Sequence, residues 1–293
     1  MKPKVLLLGC TGEVGSRLTL LMLESGYEVF GIRGSKECLI SNPLHSCLRV
    51  DLLAGDVEIE IATIKPEILI HTAWITTPTL FWNTPENYLW LEASKRLVEA
   101  FETNGGKYLV VTGTCAEYSW RTREALDENS LELPASLYGK SKFELLKWLR
   151  TRPLPFLWTR TFFQFGAKES AGRLVPTLID SLLKGQEFLI QNGQDIRDFV
   201  YIEDVVQVLH ELISRRRIGV FNLGSGKGIQ IRDISSLLAS LLGREELLKF
   251  SAQINPISIV ISDPAKLNAV AGPYVWRNLP DALMESIESR RAL

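Results

Sequence analysis

The stretch KVLLLGCTGEVGSRL, residues 4–18, most limits what this chain can fold into. A short apolar run ends at Gly9, and Gly12 and Gly15 follow before a segment of helical period. A glycine turn between a buried strand and a helix lets the backbone approach a pyrophosphate, and the helix N-terminus offers N–H groups and a favourable dipole. An ordinary strand-to-helix turn is the alternative, but this context predicts a dinucleotide site.

Short apolar runs alternate with longer segments of helical period along the chain. The runs resemble buried strands, and each helical segment ends in a stop signal such as Gly26, Asn104 or Pro153. This alternation predicts an α/β fold with a doubly wound, Rossmann-type parallel sheet and right-handed crossovers. The predicted helices cover residues 14–25, 93–103 and 138–151, and the predicted strands are KVLLLG, YEVFGI, EILIHTAW, KYLVV, PFLWTRTFF and GVFNLG.

The alternation weakens after Gly166. From there to Asp198, and again from Gly226 onward, short elements are mixed with glycine and proline, whereas the intervening part keeps the strand and helix pattern. We therefore expect a dinucleotide-binding Rossmann domain of residues 1–165 plus 199–225. A smaller interleaved C-terminal lobe of residues 166–198 plus 226–293 is expected to bind the substrate.

Composition excludes several classes of partner. The chain of 293 residues has 33 basic and 34 acidic residues, and its net charge of -1 gives no electrostatic footprint for nucleic acid or an anionic membrane. No apolar run approaches the ~18 residues of a membrane span, and the run at residues 5–8 is too short for a signal peptide. A small-molecule partner is therefore expected.

The cysteines and histidines show no metal-binding pattern in the sequence. The histidines at positions 45, 71 and 210 are scattered, and no C-x-x-C pair is formed by Cys10, Cys38, Cys47 and Cys115. A chain of this size needs no disulfide staples, so we expect reduced thiols in a cytoplasmic protein. No metal site is predicted.

The end of the second predicted strand indicates which dinucleotide would bind. NAD sites usually place Asp or Glu there to accept hydrogen bonds from the ribose, but this chain has Arg33, followed by Ser35 and Lys36. Because a cation suits a 2′-phosphate, Arg33 favours NADP(H), with NAD(H) as the alternative cofactor. A solvated loop arginine is the other interpretation of Arg33.

A hydroxyl, a phenol and an ammonium form the predicted catalytic set. Tyr138 and Lys142 share one face of a predicted helix, and a nearby ammonium lowers the pKa of a phenol from ~10 towards neutrality. Thr114, in VVTGTCAEYSW, stands at a strand's carboxyl end, where ligands bind in open α/β sheets. Alone, Y-x-x-x-K is typical of an amphipathic helix surface, but combined with the glycine turn it predicts an active site.

Several motifs together resemble the extended short-chain dehydrogenase/reductase family, in particular its NAD(P)-dependent sugar-nucleotide epimerase/dehydratase group. They are GCTGEVG, HTAW, GTCAEY, YGKSK, RDFVYIEDV and FNLGSG, which cover nearly the whole chain. The resemblance implies a Ser/Thr-Tyr-Lys triad at Thr114, Tyr138 and Lys142. It implies cofactor contacts at Gly9, Thr11, Gly12, Glu13, Val14, Gly15, Arg33, Asp51, Leu52, Ala73, Tyr138 and Lys142. For Asp51, an ordinary turn residue is the equal alternative.

The resemblance also implies how a nucleotide-sugar substrate would be held. Arg197 matches the position at which the family grips the nucleotide diphosphate, and a guanidinium suits that oxygen array. Arg173 would be its partner, with a surface arginine as the equal alternative. The aromatic loop AWITTPTLFWNTPENYLW, residues 73–90, would line the sugar pocket with Trp74, Thr76 and Trp82, and packing of its aromatic rings against neighbouring helices is the alternative. Because family members commonly dimerise, we expect a homodimer formed through residues 87–103 and 138–151.

The residues after Thr114 indicate the reaction. Dehydratases of this group typically place Asp-Glu there as acid and base, whereas this chain has Cys115 and Ala116. Since Arg33 favours NADPH, the usual cellular reductant, we expect a reductase of a nucleotide-linked keto sugar, an NDP-4-keto-6-deoxyhexose in particular. A sugar-nucleotide epimerase using NAD is the alternative. A nonenzymatic NADP-binding sensor is a third interpretation, against which the intact triad argues.

Overall fold

The computed structural model describes residues 2–166, 169, 172–253 and 255–292. Its largest sheet has seven strands in the order β10-β6-β5-β4-β1-β2-β3, and the neighbouring strands from β3 through β5 run parallel. The strands are β1 Lys4–Leu8, β2 Glu28–Arg33, β3 His45–Arg49, β4 Ile68–His71, β5 Tyr108–Thr114, β6 Phe156–Thr161, β7 Phe163–Phe165, β8 Phe188–Ile190, β9 Ile196–Tyr201, β10 Gly219–Leu223, β11 Gly228–Gln230, β12 Leu248–Phe250 and β13 Ile259–Val260.

Helices connect the strands of this sheet, as the alternating pattern requires. They are α1 Glu13–Glu24, α2 Val57–Ile64, α3 Glu86–Thr103, α4 Leu137–Leu149, α5 Leu174–Leu183, α6 Ile202–Ser214, α7 Ile231–Leu242, α8 Ala265–Ala271 and α9 Leu279–Arg291. Short 3-10 turns cover Cys115–Glu117 and Glu245–Leu247. The α/β class and the Rossmann-type sheet predicted from the sequence are confirmed.

Two elements of the first part of the chain differ from the sequence expectation. Strand β3 extends the sheet at its edge and was not among the predicted strands, because HSCLR lacks a continuous apolar run. Helix α3 begins at Glu86 rather than at position 93, directly after Pro85, whose φ of −58° already fits a helix. In its first turn the apolar residues Tyr88 and Leu89 are exposed, so this part of the sequence lacks the amphipathic pattern that predicts a helix.

Contacts group the chain into two compact units. The first comprises Met1–Glu117, Glu132–Arg160 and Val206–Phe221, and the second comprises Tyr118–Leu131, Thr161–Val205 and Asn222–Leu293. The two domains expected from the sequence stay a prediction.

Each unit has a hydrophobic core of its own. In the first unit, buried side chains of β1, β4 and β5, such as Leu6, Leu69 and Val111, belong to one cluster with residues of α2, α3 and α4. In the second unit, α5, α7 and α9 pack together through residues such as Leu178 and Leu238. Among the described residues, no helix combines the length and apolar character needed to cross a membrane.

Candidate functional site

The glycine turn after β1 has the tight geometry expected of it. Gly9 has φ +82°, and its N–H donates to the Ile32 carbonyl at 2.9 Å. A Cβ on Gly15 would lie 2.1 Å from the Gly9 carbonyl oxygen, so only glycine allows the helix to start this close to the turn. Gly12 caps α1, whose first residue, Glu13, pairs with Arg17 at 3.0 Å.

A cleft of about 330 Å³ lies beside this turn in the first unit. The predicted cofactor contacts among its lining residues are Gly9, Arg33, Asp51, Leu52 and Ala73, joined by others that include Ser35, Arg49 and Trp90. Thr11, Gly12, Glu13, Val14 and Gly15 are outside this lining and form the turn and the start of α1. The cleft is therefore lined mainly by residues at the ends of β1, β2 and β3 and by those that follow them.

Arginine side chains give this cleft a cationic character. The Arg33 guanidinium donates to the backbone oxygens of Gly34 at 3.3 Å and Lys36 at 3.2 Å, and it is partly exposed. Arg49 is exposed at the end of β3. The Asp51 carboxylate accepts the Leu53 N–H at 2.9 Å, which holds its own loop. The cleft therefore has Arg33 at the end of β2, where a ribose-binding carboxylate would stand, and Arg49 at the end of β3.

The end of β5 presents Thr114, of which 8% is exposed. Its Oγ1 accepts the Ala116 N–H at 3.2 Å, so the hydroxyl proton can be donated elsewhere. Tyr138 and Lys142 both lie on α4, which begins where Ser136 accepts the Gly139 N–H at 3.1 Å. Lys142 Nζ donates to the Thr112 carbonyl at 2.8 Å, so the structure brings Lys142 to the strand that ends at Thr114.

Lys142 is almost fully buried, with 1% of its surface exposed. Its Nζ stands 3.9 Å from the centre of the Trp74 ring, a cation–π contact. Burial lowers the pKa of Lys142 from 10.5 to about 7, although the nearby Glu117 carboxylate opposes this shift. The amine can therefore gain or lose its proton near neutral pH.

Aromatic rings surround Tyr138. Its ring lies edge-on to Phe81, with 5.1 Å between centres, and to Trp82, with 5.9 Å between centres. The Trp82 carbonyl also accepts the Tyr138 N–H at 3.0 Å. Asn87, fully buried in α3, anchors this aromatic loop by donating to the Phe81 carbonyl at 2.7 Å and accepting from Trp74 Nε1 at 2.9 Å. The loop thus fixes where the Tyr138 ring lies.

Glu117 is a buried residue of this site that the sequence analysis did not single out. Its carboxylate accepts the Thr114 N–H at 2.9 Å and the Arg160 Nε–H at 2.7 Å, and both side chains of this ion pair have no exposed surface. Trp158 Nε1 donates to the same carboxylate at 3.1 Å. Burial raises the pKa of Glu117, and the Arg160 guanidinium opposes this effect. The spacing of these two residues in the sequence gives no signal of their contact, because Glu117 follows β5 and Arg160 lies on β6.

His71, at the end of β4, is fully buried. Its Nε2 lies 2.8 Å from Ser94 Oγ. Burial lowers the pKa of His71 from 6.5 to about 3, so the ring is neutral near pH 7. A neutral histidine held by a serine inside the core packs the sheet against α3.

The predicted substrate contacts lie on different parts of the chain. Thr76 is exposed in the first unit. In the second unit, Arg197 pairs with Asp195 at 2.8 Å, donates to the Ser258 carbonyl at 2.7 Å and is 8% exposed. Arg173 caps α5 and pairs with Glu169 at 3.2 Å. The Arg197 guanidinium is thus held in a fixed orientation, whereas Arg173 is more exposed.

Comparison with known protein families and sequences gives matches along the chain. The model of the family described as NAD dependent epimerase/dehydratase matches residues 5–224. GDP-6-deoxy-D-talose 4-dehydrogenase of Aggregatibacter actinomycetemcomitans is 23% identical over 98% of this chain and 98% of its own length. UDP-arabinose 4-epimerase 1 of Arabidopsis thaliana is 21% identical over 97% of this chain and 78% of its length.

Solved structures share the fold over the whole chain. The structure described as MoeE5 in complex with UDP-glucuronic acid and NAD is 26% identical with a TM-score of 0.86, covering 99% of this chain and 100% of that one. The NAD dependent NDP-hexosamine 5,6-dehydratase TunA superimposes with a TM-score of 0.86 at 23% identity, covering 100% and 99%. Both agree with the Rossmann-type architecture described above.

Proposed function

The chain belongs to the NAD dependent epimerase/dehydratase family, and we propose that it is an NADP(H)-dependent reductase of a nucleotide-linked keto sugar. The proposed substrate is an NDP-4-keto-6-deoxyhexose. The proposed catalytic residues are Thr114, Tyr138 and Lys142.

The cationic cleft beside the glycine turn is the observation that carries this proposal. Strand β2 ends in Arg33, and Arg49 and Ser35 line the same cleft. Two guanidinium groups and a hydroxyl suit the 2′-phosphate that distinguishes NADP(H) from NAD(H). The cleft also reaches Gly9, at the turn that leads into α1, so these residues fit an adenosine with its phosphates.

The side chains at the end of β5 and on α4 have the chemistry that a ketone reduction needs. A bound nicotinamide supplies the hydride that the keto carbon accepts. Thr114 would donate its hydroxyl proton in a hydrogen bond to the ketone oxygen and so orient it. Tyr138 would give that oxygen its proton, and Lys142, when protonated, would stabilise the phenolate left behind. Its pKa of about 7 keeps both protonation states accessible at neutral pH.

The environment of Glu117 argues against dehydration. Dehydratases of this group typically use an Asp-Glu pair at these positions to remove water, and Cys115 and Ala116 offer no carboxyl group there. Glu117 follows them, but it has no exposed surface and its oxygens accept hydrogen bonds from Arg160, Thr114 and Trp158. A relative named for 4-dehydrogenase chemistry, spanning 98% of this chain, agrees with reduction.

The test is oxidation of NADPH in the presence of GDP- and dTDP-linked 4-keto-6-deoxyhexoses. Tyr138→Phe is expected to lower kcat by about 10²–10⁴-fold. Arg33→Asp should raise KM for NADPH by about 10–100-fold, the range for losing a hydrogen bond to a charged group, and should favour NADH. Arg244→Gln, which changes an exposed arginine outside the cleft, is the matched control and should leave both parameters unchanged. Normal turnover by Tyr138→Phe would contradict the assignment.

A sugar-nucleotide epimerase using NAD is the second candidate. Two observations favour it: relatives named UDP-arabinose 4-epimerase match nearly the whole chain, and neighbouring structures are described as complexes with NAD. An epimerase returns its hydride and retains its cofactor, so the purified protein would contain NAD in one-to-one amount and would interconvert sugars without net NADPH oxidation. Net oxidation of NADPH in proportion to product supports the reductase instead and excludes a nonenzymatic NADP-binding sensor.

A further inference from the structure

Three cysteines that are far apart in the sequence lie close together in the first unit, on chain segments that also contribute residues to the cofactor cleft. Cys10 lies in the glycine turn after β1, Cys38 in the irregular segment between β2 and β3, and Cys47 in β3. Their sulfur atoms all lie within 4.8 Å of one another. The sequence alone predicts no metal site, because the three positions do not have the short spacing of known metal motifs.

The distance between two of these sulfurs suits metal ligands. Cys10 Sγ and Cys47 Sγ are 3.7 Å apart, far longer than the ~2.0 Å of a disulfide bond. Two thiolates bound at ~2.3 Å to one tetrahedral Zn²⁺ stand about 3.8 Å apart. The pair therefore already has the separation of two ligands on one metal ion.

Gly31 makes room for this cluster. Strand β2 lies between β1 and β3, and Gly31 is paired with Cys47 in the sheet. A Cβ on Gly31 would lie 2.8 Å from Cys10 Sγ and 3.0 Å from His45 Nε2. Any larger residue would displace both side chains, so the absence of a side chain at Gly31 lets them approach each other across β2.

His45 has the hydrogen bonding of a metal ligand. Its Nδ1 lies 3.3 Å from the Ile40 carbonyl, which fixes Nδ1 as the protonated nitrogen and leaves the lone pair on Nε2. Within the described residues, Nε2 is buried and has no hydrogen-bond partner. His45 and Cys47 are two residues apart on β3, so their side chains project from the same face of the strand.

We propose that Cys10, Cys38 and Cys47 bind Zn²⁺ or another thiophilic divalent cation. His45 Nε2 lies outside the group of sulfur atoms that are all within 4.8 Å of one another, and it would move towards them to complete a tetrahedral site. Three thiolates and one imidazole are a common ligand set for structural zinc. Binding forms three sulfur–metal bonds and one nitrogen–metal bond, while each thiol releases its proton to solvent and no electrons are transferred.

The site would join the three chain segments that border the cofactor cleft. Cys10 is next to Gly9 of the turn, Cys38 follows the Arg33 loop, and Cys47 precedes Asp51. Metal would therefore cross-link three segments of the chain, among them the irregular residues 34–44, and should raise the melting temperature of the protein.

Metal content and spectroscopy of the whole chain, purified under reducing conditions, test the proposal. We expect one Zn²⁺ per chain by elemental analysis, and a Co²⁺-substituted protein with thiolate-to-cobalt charge-transfer absorption and the intense visible bands of tetrahedral cobalt. Cys38→Ser, on a partly exposed loop, should fold normally but lose the metal and the charge-transfer band. Cys115→Ser, a buried cysteine outside the cluster, is the matched control and should keep both.

A second variant tests the fourth ligand. His45→Gln should leave the thiolate absorption in place but shift the visible cobalt bands and weaken Co²⁺ binding about 10–100-fold, since one ligand is replaced. Reduced wild-type protein that binds neither Zn²⁺ nor Co²⁺ would overturn the proposal. So would metal retained by Cys38→Ser, or a Cys10–Cys47 disulfide as the resting state with no metal uptake after reduction.

Discussion

Two fully buried carboxylates, one in each unit, are accommodated in different ways. Glu117 is paired with a buried cation, the Arg160 guanidinium at 2.7 Å. Asp198 instead accepts hydrogen bonds from neutral donors, namely the hydroxyl and N–H groups of Ser225 at 2.5 and 3.0 Å, those of Ser262 at 2.6 and 3.1 Å, and the Gly226 N–H at 3.0 Å. One carboxylate has a charged partner beside its neutral donors, and the other has neutral donors alone.

The two carboxylates hold different parts of the chain in place. Glu117 fixes the backbone of Thr114, the proposed catalytic hydroxyl residue, through one N–H at 2.9 Å. Asp198, in β9, ties the segment after β10 to the segment after β13. Removing the cation from the first leaves an uncompensated charge, whereas neutralising the second leaves most donors with an acceptor. The two sites should therefore respond differently to substitution.

Loss of the buried cation is expected to have the largest effect. Arg160→Met leaves the Glu117 carboxylate buried without its charged partner, so the free energy of unfolding should fall by about 3–5 kcal/mol. Urea denaturation monitored by fluorescence measures this change. In the double variant Glu117→Gln, Arg160→Met no buried charge is left at this pair, and much of the stability should return. If the double variant were less stable than Arg160→Met, the charge would not be the cause.

Neutralising the second carboxylate should cost less. Asp198→Asn keeps the shape and one acceptor oxygen but turns an NH₂ group towards donors, so we expect a loss of about 1.5–3 kcal/mol. Urea denaturation measures this loss as well. The losses of unfolding free energy for Asp198→Asn and for Arg160→Met are then compared. An equal or larger loss for Asp198→Asn would show that neutral donors stabilise a buried carboxylate no less than a guanidinium does.

Whether a feature of the site could be predicted from the sequence depends on how far apart its residues are along the chain. The turn around Gly9 and the pair Tyr138 and Lys142 depend on neighbours within one turn of chain, so their spacing reveals them. Glu117 and Arg160 are 43 positions apart, and Cys10 and Cys47 are 37 apart. Only the order of the strands in the sheet brings such partners together, and the apolar pattern that predicts strands does not specify which polar side chains will meet.

Lys142 shows a third way of burying an ionisable group, which is to bury it in its neutral form. The pKa of Lys142 is about 7 in the folded chain and 10.5 when unperturbed. Between these values the unfolded chain holds a proton that the folded chain has released, so the free energy of unfolding rises with pH across this window, by at most about 1.4 kcal/mol per pH unit. Below pH 7 both states are protonated and this contribution to the slope disappears.

The variant Lys142→Met isolates this effect, because methionine has a similar length and does not titrate. The slope of unfolding free energy against pH, measured between pH 7 and pH 10.5, should be smaller in the variant than in the wild-type protein. Equal slopes would mean that Lys142 remains charged inside the protein, held by Glu117 as Arg160 is, and the contrast between pairing and neutralisation would not apply to it.

The smallest effect is expected for a cation that shares a partner with Arg160 but lies at the surface. Glu132 contacts both Arg160 and Arg150, and Arg150 makes two hydrogen bonds to it at 2.9 and 2.8 Å while 42% of its side chain is exposed. Water screens this pair, so Arg150→Gln should cost only about 0.2–1 kcal/mol, and less at high salt. Glu132 is a partner of both arginines, so the two variants can be compared directly. If Arg150→Gln lowered the free energy of unfolding as much as Arg160→Met does, pairing geometry rather than burial would decide the cost.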